Sequence, residues 1–276
     1  MTRLARTTSG RPVVGQARGF VPLSATRPAA ENLDSVLPAA AAGELDEIDA
    51  TANPVDSTTL RFGRPLEAPG TIWGVGLNYE AHAADLGEGT PSDLAVFTKP
   101  VSTARGTGGP ITLPSTGQTD RVTAEGELAV VIGRTCRNVA PCDVGAVVAG
   151  YLPIIDVTAE DILHENPRFL TRAKSFDSFL VLGPWIRTPA AIDSLAEIQV
   201  RTERNGRMAA ANTLSAMRFS PAEVVASLSK VATLHPGDLI CTGTPGATVI
   251  EAGDTVTAGV ESVGKVSAEV VASADT

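Results

Sequence analysis

Short apolar runs, separated by glycine, proline and polar turns, make up most of the hydrophobic pattern of this chain. The runs are only a few residues long and rich in β-branched side chains, which is typical of strands. One helix is also clear. Ser220 begins an S-x-x-E capping box, Pro221 follows at the first helical position, and apolar residues recur at helical spacing up to residue 234. The pattern therefore predicts many short strands and few helices.

The segments outside the central apolar runs predict further strands and turns. Residues 1–25 alternate short apolar groups with Gly and Pro and predict a small β-meander. Residues 26–70 are rich in Ala, Asp, Pro and Thr and carry no evident chemistry. An Asn-Gly pair predicts the two-residue turn of a hairpin over 195–212. The tail over 255–271 alternates like one final exposed strand.

Three carboxylates lie beside two apolar runs that predict neighbouring strands. Glu125 and Glu127 lead into the run LAVVIG, and the second run, VVAGYLPII, ends at Asp156. Residues i and i+2 of a strand point to one face, so the two glutamates share a space and repel each other unless a cation lies between them. Asp156 supplies a third oxygen ligand if the strands pair, and oxygen ligation favours Mg²⁺, with Mn²⁺ as the other candidate. The alternative is an exposed strand end with two solvated glutamates.

Composition and charge narrow the classes of function. The chain has 276 residues, of which 43% are hydrophobic, ample for a packed core. Its 22 basic and 31 acidic residues give a net charge of −9 without a Lys/Arg cluster, so neither nucleic acid nor an anionic membrane is an expected partner. No apolar run approaches the ~20 residues that span a bilayer, and no secretory signal is evident. Three cysteines without C-x-x-C spacing predict a reducing cytoplasm.

A histidine, an aspartate and two lysines are further candidates for chemistry. His82 and Asp85 stand at i and i+3 in a predicted short helix, where a carboxylate can orient the imidazole of a general base. A solvated helix cap is the alternative for this pair. Lys174 can stabilise a developing negative charge or form a salt bridge with Asp177. Lys99 is expected either on the surface or at the entrance of a pocket.

A short helix is expected after Asp156. Thr158 and Asp161 have the spacing of a capping box, which predicts a helix through His164. His164 has no partner at metal-ligand spacing, so a structural role is expected for it.

Several motifs, in their order along the chain, resemble the fumarylacetoacetate hydrolase family. They are GVGLNYEAHAADLG, F-T-K-P, E-x-E-L-A-V-V-I-G, G-Y-x-x-x-x-D-V-T, K-S-F-D-S-F, L-G-P-W and LHPGDLICTGTP. The resemblance covers roughly residues 70–265. It implies an α+β fold with a rolled, sandwich-like mixed β-sheet and few helices. It also implies a small N-terminal cap domain at 1–70, a catalytic domain at 71–276 and a homodimer.

The same resemblance implies a divalent-metal-dependent hydrolase. Such an enzyme cleaves a C–C bond of a small β-diketo or acylpyruvate-like substrate through a metal-bound enolate. The residues implied for binding Mg²⁺ or Mn²⁺ are Glu125, Glu127 and Asp156. The implied catalytic residues are His82, which activates water with Asp85, and Lys174, which stabilises the enolate. The implied substrate contacts are Tyr79, Glu160 and Thr244.

The chain departs from the family pattern around the expected pocket. Glu160 stands where relatives usually have arginine, Leu163 where they have glutamine, and Asp85 where they have glutamate. An arginine fork suits a planar carboxylate, whereas a glutamate repels it. Recognition of a 2-oxo carboxylate is therefore altered unless Arg168 or Arg172 compensates. Alternatively, Glu160 is simply a solvated residue of the helix.

These departures leave two further functions open. A decarboxylase, tautomerase or isomerase would use the same enolate without water. The changed acid at position 85 and the missing arginine favour it, and the loop after Pro245 is shorter than in relatives. The third interpretation is a catalytically silent binding protein. The retained acids, His82 and Lys174 argue against it.

Overall fold

Strands predominate and helices are short in the computed structural model, which describes residues 2–45, 53–85, 89, 91–115, 117–192 and 194–274. The strands are β1 (Arg3–Arg6), β2 (Pro12–Gln16), β3 (Gly19–Pro22), β4 (Ile72–Gly76), β5 (Ala95–Lys99), β6 (Ala104–Arg105), β7 (Ile111–Thr112), β8 (Val122–Ile132), β9 (Val148–Ala159), β10 (Leu180–Leu182), β11 (Trp185–Arg187), β12 (Gln199–Arg204), β13 (Arg207–Thr213), β14 (Leu239–Cys241), β15 (Ala247–Val249), β16 (Thr255–Val260) and β17 (Gly264–Val271). The α-helices are α1 (Leu23–Thr26), α2 (Leu37–Ala41), α3 (Glu80–Asp85), α4 (Glu160–Glu165), α5 (Leu170–Ala173) and α6 (Pro221–Val231). Turns of 3₁₀ helix occupy Asp34–Val36, Ser57–Thr59, Val101–Thr103, Pro141–Ala146, Pro167–Phe169, Pro189–Ala191 and Leu214–Ala216.

Two sheets pack face to face. Among the described residues, the larger sheet has 12 strands in the order β3-β2-β1-β11-β9-β8-β14-β4-β5, with β6, β10 and β15 beside that path. The smaller sheet has five strands, in the order β13-β12-β16-β17-β7. β8 and β9 form a long antiparallel pair in the middle of the larger sheet and are buried along their whole length. The predicted α+β fold with a sandwich-like mixed sheet and few helices is confirmed.

The two faces of β8 have different neighbours. Ala124, on one face, packs in a core cluster with side chains of β16 and β17 in the smaller sheet. Val131, on the other face, packs in a cluster with the N-terminal segment. Gly126 lies on the first face, where a Cβ would stand 2.7 Å from the Arg201 carbonyl oxygen, and its amide donates a 2.8 Å hydrogen bond to the Thr202 hydroxyl. The residues on either side of this glycine therefore point away from the smaller sheet.

The N-terminal segment adds three strands to the larger sheet. β1, β2 and β3 form the antiparallel meander that the sequence predicts, and β1 pairs with β11. Leu4, Val14 and Leu37 share one buried cluster with Leu152 of β9. The N-terminal segment and the central strands thus have a common apolar core. The domain boundary near residue 70 stays a prediction.

Helix α6 and the β12–β13 hairpin also follow the sequence prediction. Ser220 and Glu223 make both hydrogen bonds of the capping box at the start of α6. Asn205 and Gly206 form the hairpin turn with φ of 53° and 73°, values that asparagine and glycine adopt readily. None of the helices in the described part of the chain is long and apolar enough to cross a membrane.

Two predictions about local structure are wrong. The tail is two strands, because β16 and β17 pair as a hairpin around residues 261–263. Thr158 and Asp161 do not cap α4. The Thr158 hydroxyl donates to Glu125, and the Asp161 carboxylate accepts from the Thr119 hydroxyl. Thr158 and Asp161 each bind a partner distant in the chain, and a local pattern does not reveal such a partner.

We predict that Gly126→Ala lowers the free energy of unfolding by about 1–3 kcal/mol, because the added methyl group forces two packed sheets apart. The matched control is Gly145→Ala, where a Cβ would meet no heavy atom within 4 Å. Urea denaturation of both variants provides the comparison. Equal stability of the two would contradict the close approach at Gly126.

Candidate active site

Glu125, Glu127 and Asp156 come together because β8 and β9 pair in a fixed register. Glu125 stands directly opposite Asp156 in the ladder. The three side chains each place a carboxylate oxygen within 4.8 Å of the others, and all three are buried. The two runs do pair, which is the condition for Asp156 to join the glutamates, and β9 continues past Asp156 to Ala159. The alternative of solvated glutamates at an exposed strand end is wrong.

Hydrogen-bond donors from two other parts of the chain orient the glutamates. Thr158 Oγ1 donates to Glu125 Oε1 over 2.7 Å, and the Gly243 amide donates to Glu127 Oε2 over 2.8 Å. Gly243 has a φ of 99°, and a Cβ there would lie 2.9 Å from Asn78 Cβ. Glycine is therefore needed for this amide to reach the carboxylate.

Two buried lysines flank Asp156. Lys174 Nζ donates to Asp156 Oδ2 over 2.9 Å and to Glu125 Oε2 over 2.8 Å. Lys99 Nζ donates to Asp156 Oδ1 over 2.5 Å. Asp177, which is the alternative partner for Lys174, is exposed. The pocket position expected for Lys174 is therefore the one that the structure shows.

Lys99 is the site residue that the sequence reasoning missed. It was expected on the surface or at a pocket entrance, yet it is only 3% exposed and lies against Asp156. The signal was present in the period of β5, where Phe97 and Lys99 are buried and Val96 and Thr98 are exposed. A lysine in phase with a buried aromatic residue needs an anion inside the fold.

The five ionisable groups do not neutralise one another. Three carboxylates and two ammonium groups leave one negative charge when all are ionised. Burial, followed by the charges of Asp156 and Glu125, raises the pKa of Glu127 well above its ordinary value. Burial acts the same way on Asp156, but Lys174 and Lys99 outweigh it and lower its pKa. Three buried carboxylates with excess negative charge fit a hard divalent cation.

A cavity of about 410 Å³ opens onto these acids. Several residues predicted for the site line it, namely Glu125, Glu127, His82, Lys174 and Thr244. Asp156 is 0% exposed and lies behind them. The structure therefore brings two of the three proposed metal ligands, the proposed base and the proposed lysine to one cavity, with the third ligand beneath it.

α4 and the segment after it form one wall of this cavity. Leu163, His164, Pro167 and Leu170 line it, and His164 is exposed at its edge. The structural role expected for His164 stays a prediction.

Tyr79 and Glu160 do not line the cavity. Tyr79 is fully buried, its hydroxyl finds no hydrogen-bond partner within the described ranges, and burial followed by the charge of Glu127 raises its pKa. Glu160 is buried and paired with Arg121, so it is not the solvated residue that the sequence allowed. Asp85 ends α3, but its side chain falls outside the described residues.

Comparison with known proteins finds relatives over most of the chain. The family described as fumarylacetoacetate (FAA) hydrolase C-terminal matches residues 71–271. A 2,4-didehydro-3-deoxy-L-rhamnonate hydrolase from Sphingomonas sp. is 32% identical over 226 residues, which cover 78% of each chain. A 4-hydroxyphenylacetate degradation bifunctional isomerase/decarboxylase from Salmonella dublin is 35% identical over 211 residues, which cover 76% of this chain and 49% of that protein.

A solved structure is similar over nearly the whole chain. It is maleylpyruvate hydrolase from Sphingobium sp. SYK-6 in complex with manganese(II) and pyruvate. It has a TM-score of 0.79 and 28% identity, and the match covers 98% of this chain and 99% of that one. Relatives of this chain are thus named as hydrolases, as an isomerase and as a decarboxylase, and one of them binds a divalent metal ion.

We predict that Lys99→Met lowers the free energy of unfolding by about 3–5 kcal/mol in the presence of a chelator, because it leaves a buried carboxylate oxygen of Asp156 without its charged partner. The control is Arg6→Met, which breaks the ion pair with the exposed Glu67 and costs at most about 1 kcal/mol. Denaturant titrations of both variants measure the difference. If Lys99→Met lowers the free energy of unfolding no more than the control does, the buried ion pair does not stabilise the site.

Proposed function

Because the chain belongs to the fumarylacetoacetate hydrolase family, we propose that it is a divalent-metal-dependent hydrolase that cleaves a C–C bond of a β-diketo or acylpyruvate-like substrate. One observation carries the proposal: two buried carboxylates, a lysine and a histidine line one cavity, and a third carboxylate lies beside the first two. The relatives, which act on small molecules, support it. The proposal extends to a homodimer, as the family resemblance implies.

Glu125, Glu127 and Asp156 would hold the metal ion. Mg²⁺ and Mn²⁺ are both candidates, because both prefer oxygen ligands. When bound, such an ion supplies Lewis acidity to the oxygens of a dicarbonyl group. The Mn²⁺ and pyruvate bound to the maleylpyruvate hydrolase support a divalent ion and a 2-oxo acid in this fold.

His82 is the proposed general base, with Asp85 as its orienting partner. His82 takes a proton from water while the hydroxyl adds to the distal carbonyl carbon of the substrate. The bond between that carbon and the methylene carbon that separates the two carbonyl groups then breaks. Its electron pair remains on the 2-oxo acid fragment as an enolate. Return of the proton from His82 to the enolate carbon completes the reaction. One water is consumed, and one carboxylic acid and one 2-oxo acid are released.

Lys174 is the proposed electrostatic stabiliser of the enolate. Burial alone would lower the pKa of this lysine, but Asp156 and Glu125 outweigh burial and raise it, so the ammonium stays charged at the cavity. Thr244, in the segment that follows β14, is the proposed substrate contact. Tyr79 and Glu160, which do not line the cavity, are proposed to support its walls.

The similarity to an isomerase/decarboxylase at 35% identity favours a second candidate function. A decarboxylase, tautomerase or isomerase needs the same acids and Lys174 to stabilise an enolate. It does not need His82 to activate water. The two candidates therefore predict different consequences when His82 is removed.

We predict that Glu127→Gln and Asp156→Asn each weaken Mn²⁺ binding by about 100-fold or more, because each removes an anionic oxygen ligand. Titration calorimetry or the electron paramagnetic resonance of free Mn²⁺ measures the affinity. Glu67→Gln, at an exposed carboxylate, is the control. Wild-type affinity in both site variants would refute the assignment of the ligands.

We predict that His82→Ala lowers the hydrolysis of an acylpyruvate by about 10²–10⁴-fold while the Mn²⁺ affinity is unchanged, because His82 moves a proton and binds no metal. The control is His235→Ala, at an exposed histidine that does not line the cavity. Chromatography of the products follows the reaction. Full hydrolysis by His82→Ala would contradict the role of this base. Enolisation or CO₂ release that is independent of His82 would instead favour the second candidate.

A further inference from the structure

Apart from the acids and the residues that act with them, the cavity is lined mostly by apolar side chains. Val75 and Leu77 contribute from the end of β4 and the residue after it. Leu163, Pro167 and Leu170 contribute from α4 and the segment that follows. A substrate held by its oxygen-rich end at the acids therefore extends the rest of its length along hydrocarbon. Such walls favour an apolar group over a charged one.

The cavity offers no free permanent cation to pair with a second anionic group. All 22 Lys and Arg residues lie in the part of the chain that the structure describes, and Lys174 is the one that lines the cavity. Its ammonium already bonds Glu125 and Asp156. The remaining basic groups there are two imidazoles, His82 and His164, which unlike a guanidinium are not permanently charged.

The arginine that pairs with α4 and the two that follow this helix do not line the cavity. Arg121 pairs with Glu160, the first residue of α4. Arg168 and Arg172 are exposed to solvent, and the guanidinium of Arg172 lies 5.9 Å from the ring centre of Phe169. A carboxylate at the far end of a substrate would therefore be desolvated without a partner.

We propose that this site selects substrates with one acidic, oxygen-rich end and an uncharged alkyl or aryl far end, and rejects those with a second carboxylate there. The inference rests on the proposed function, because it takes the acids as the place where the oxygen-rich end binds. Leu163 and Leu170 are the specificity-determining residues. Each stands where a cation would be needed to accept a dianionic substrate.

The test compares two inert probes of equal length, 2-oxoheptanoate and 2-oxoheptanedioate, binding to the Mn²⁺-loaded protein at about pH 8, where free imidazole is neutral. Titration calorimetry gives both dissociation constants. We expect the monoacid to bind roughly 10- to 100-fold more tightly, because burying the second carboxylate unpaired is unfavourable. Equal affinity, tighter binding of the diacid, or no binding of either probe would overturn the proposal.

Two substitutions test the wall directly. Leu163→Arg and Leu170→Arg each place a guanidinium at the cavity, and either should reduce the preference for the monoacid by at least about 10-fold. Leu163 packs against a core cluster, so an arginine there could prevent folding. Leu170→Arg then provides an independent test of the wall. Val231→Arg, at a position 73% exposed at the end of α6, is the matched control and should leave the preference unchanged.

The outcome separates this inference from the proposed function. Preferential binding of the monoacid without cleavage of any acylpyruvate would sustain the substrate selection and refute the hydrolase. Cleavage of acylpyruvates together with equal binding of the two probes would sustain the hydrolase and refute the selection. An unchanged preference in a folded Leu170→Arg protein would refute the role of this wall.

Discussion

Repulsion among three buried carboxylates is the constraint on which the rest of the site depends. The β8–β9 register forces Glu125 and Asp156 to face each other, and the period of β8 adds Glu127 to the same face. Two lysines offset most of the repulsion, and both donate to Asp156. With all five groups ionised one negative charge remains, and burial together with this repulsion raises the pKa of Glu127. A divalent cation is the simplest complement to that charge.

The packing of the two sheets supports this arrangement of acids. The smaller sheet packs on the opposite face of β8, so closely at Gly126 that no side chain fits there. The acids therefore lie on a strand pair that is buried and packed on both faces. The donors that orient them, Thr158 and the Gly243 amide, come from β9 and from the turn after β14. Packing and hydrogen bonds of this kind are what a precise ligand geometry requires.

Residues whose environment follows from strand periodicity were predictable from the sequence. The shared face of Glu125 and Glu127 and the meander at the N-terminus needed only a period of two, and the α6 capping box needed only its local motif. The alternation of residues in β5 equally indicates that Lys99 is buried, although this position was not predicted. Local patterns could not predict the other features of the site, because the residues that come together there are distant in the chain. The pairing of Glu160 with Arg121, the use of the Thr158 hydroxyl by Glu125 and the position of His164 at the cavity all belong to this class.

The central claim is that water cleaves a C–C bond of an acylpyruvate with the help of a divalent ion held by these acids. The most direct test is to incubate the protein with butyrylpyruvate in H₂¹⁸O, with Mg²⁺ or with a chelator, and to analyse the products by mass spectrometry. We expect pyruvate and butyrate, with one ¹⁸O atom incorporated in the butyrate carboxylate, and no reaction with the chelator. Release of CO₂, an isomerised substrate, or cleavage that is indifferent to the chelator would contradict it.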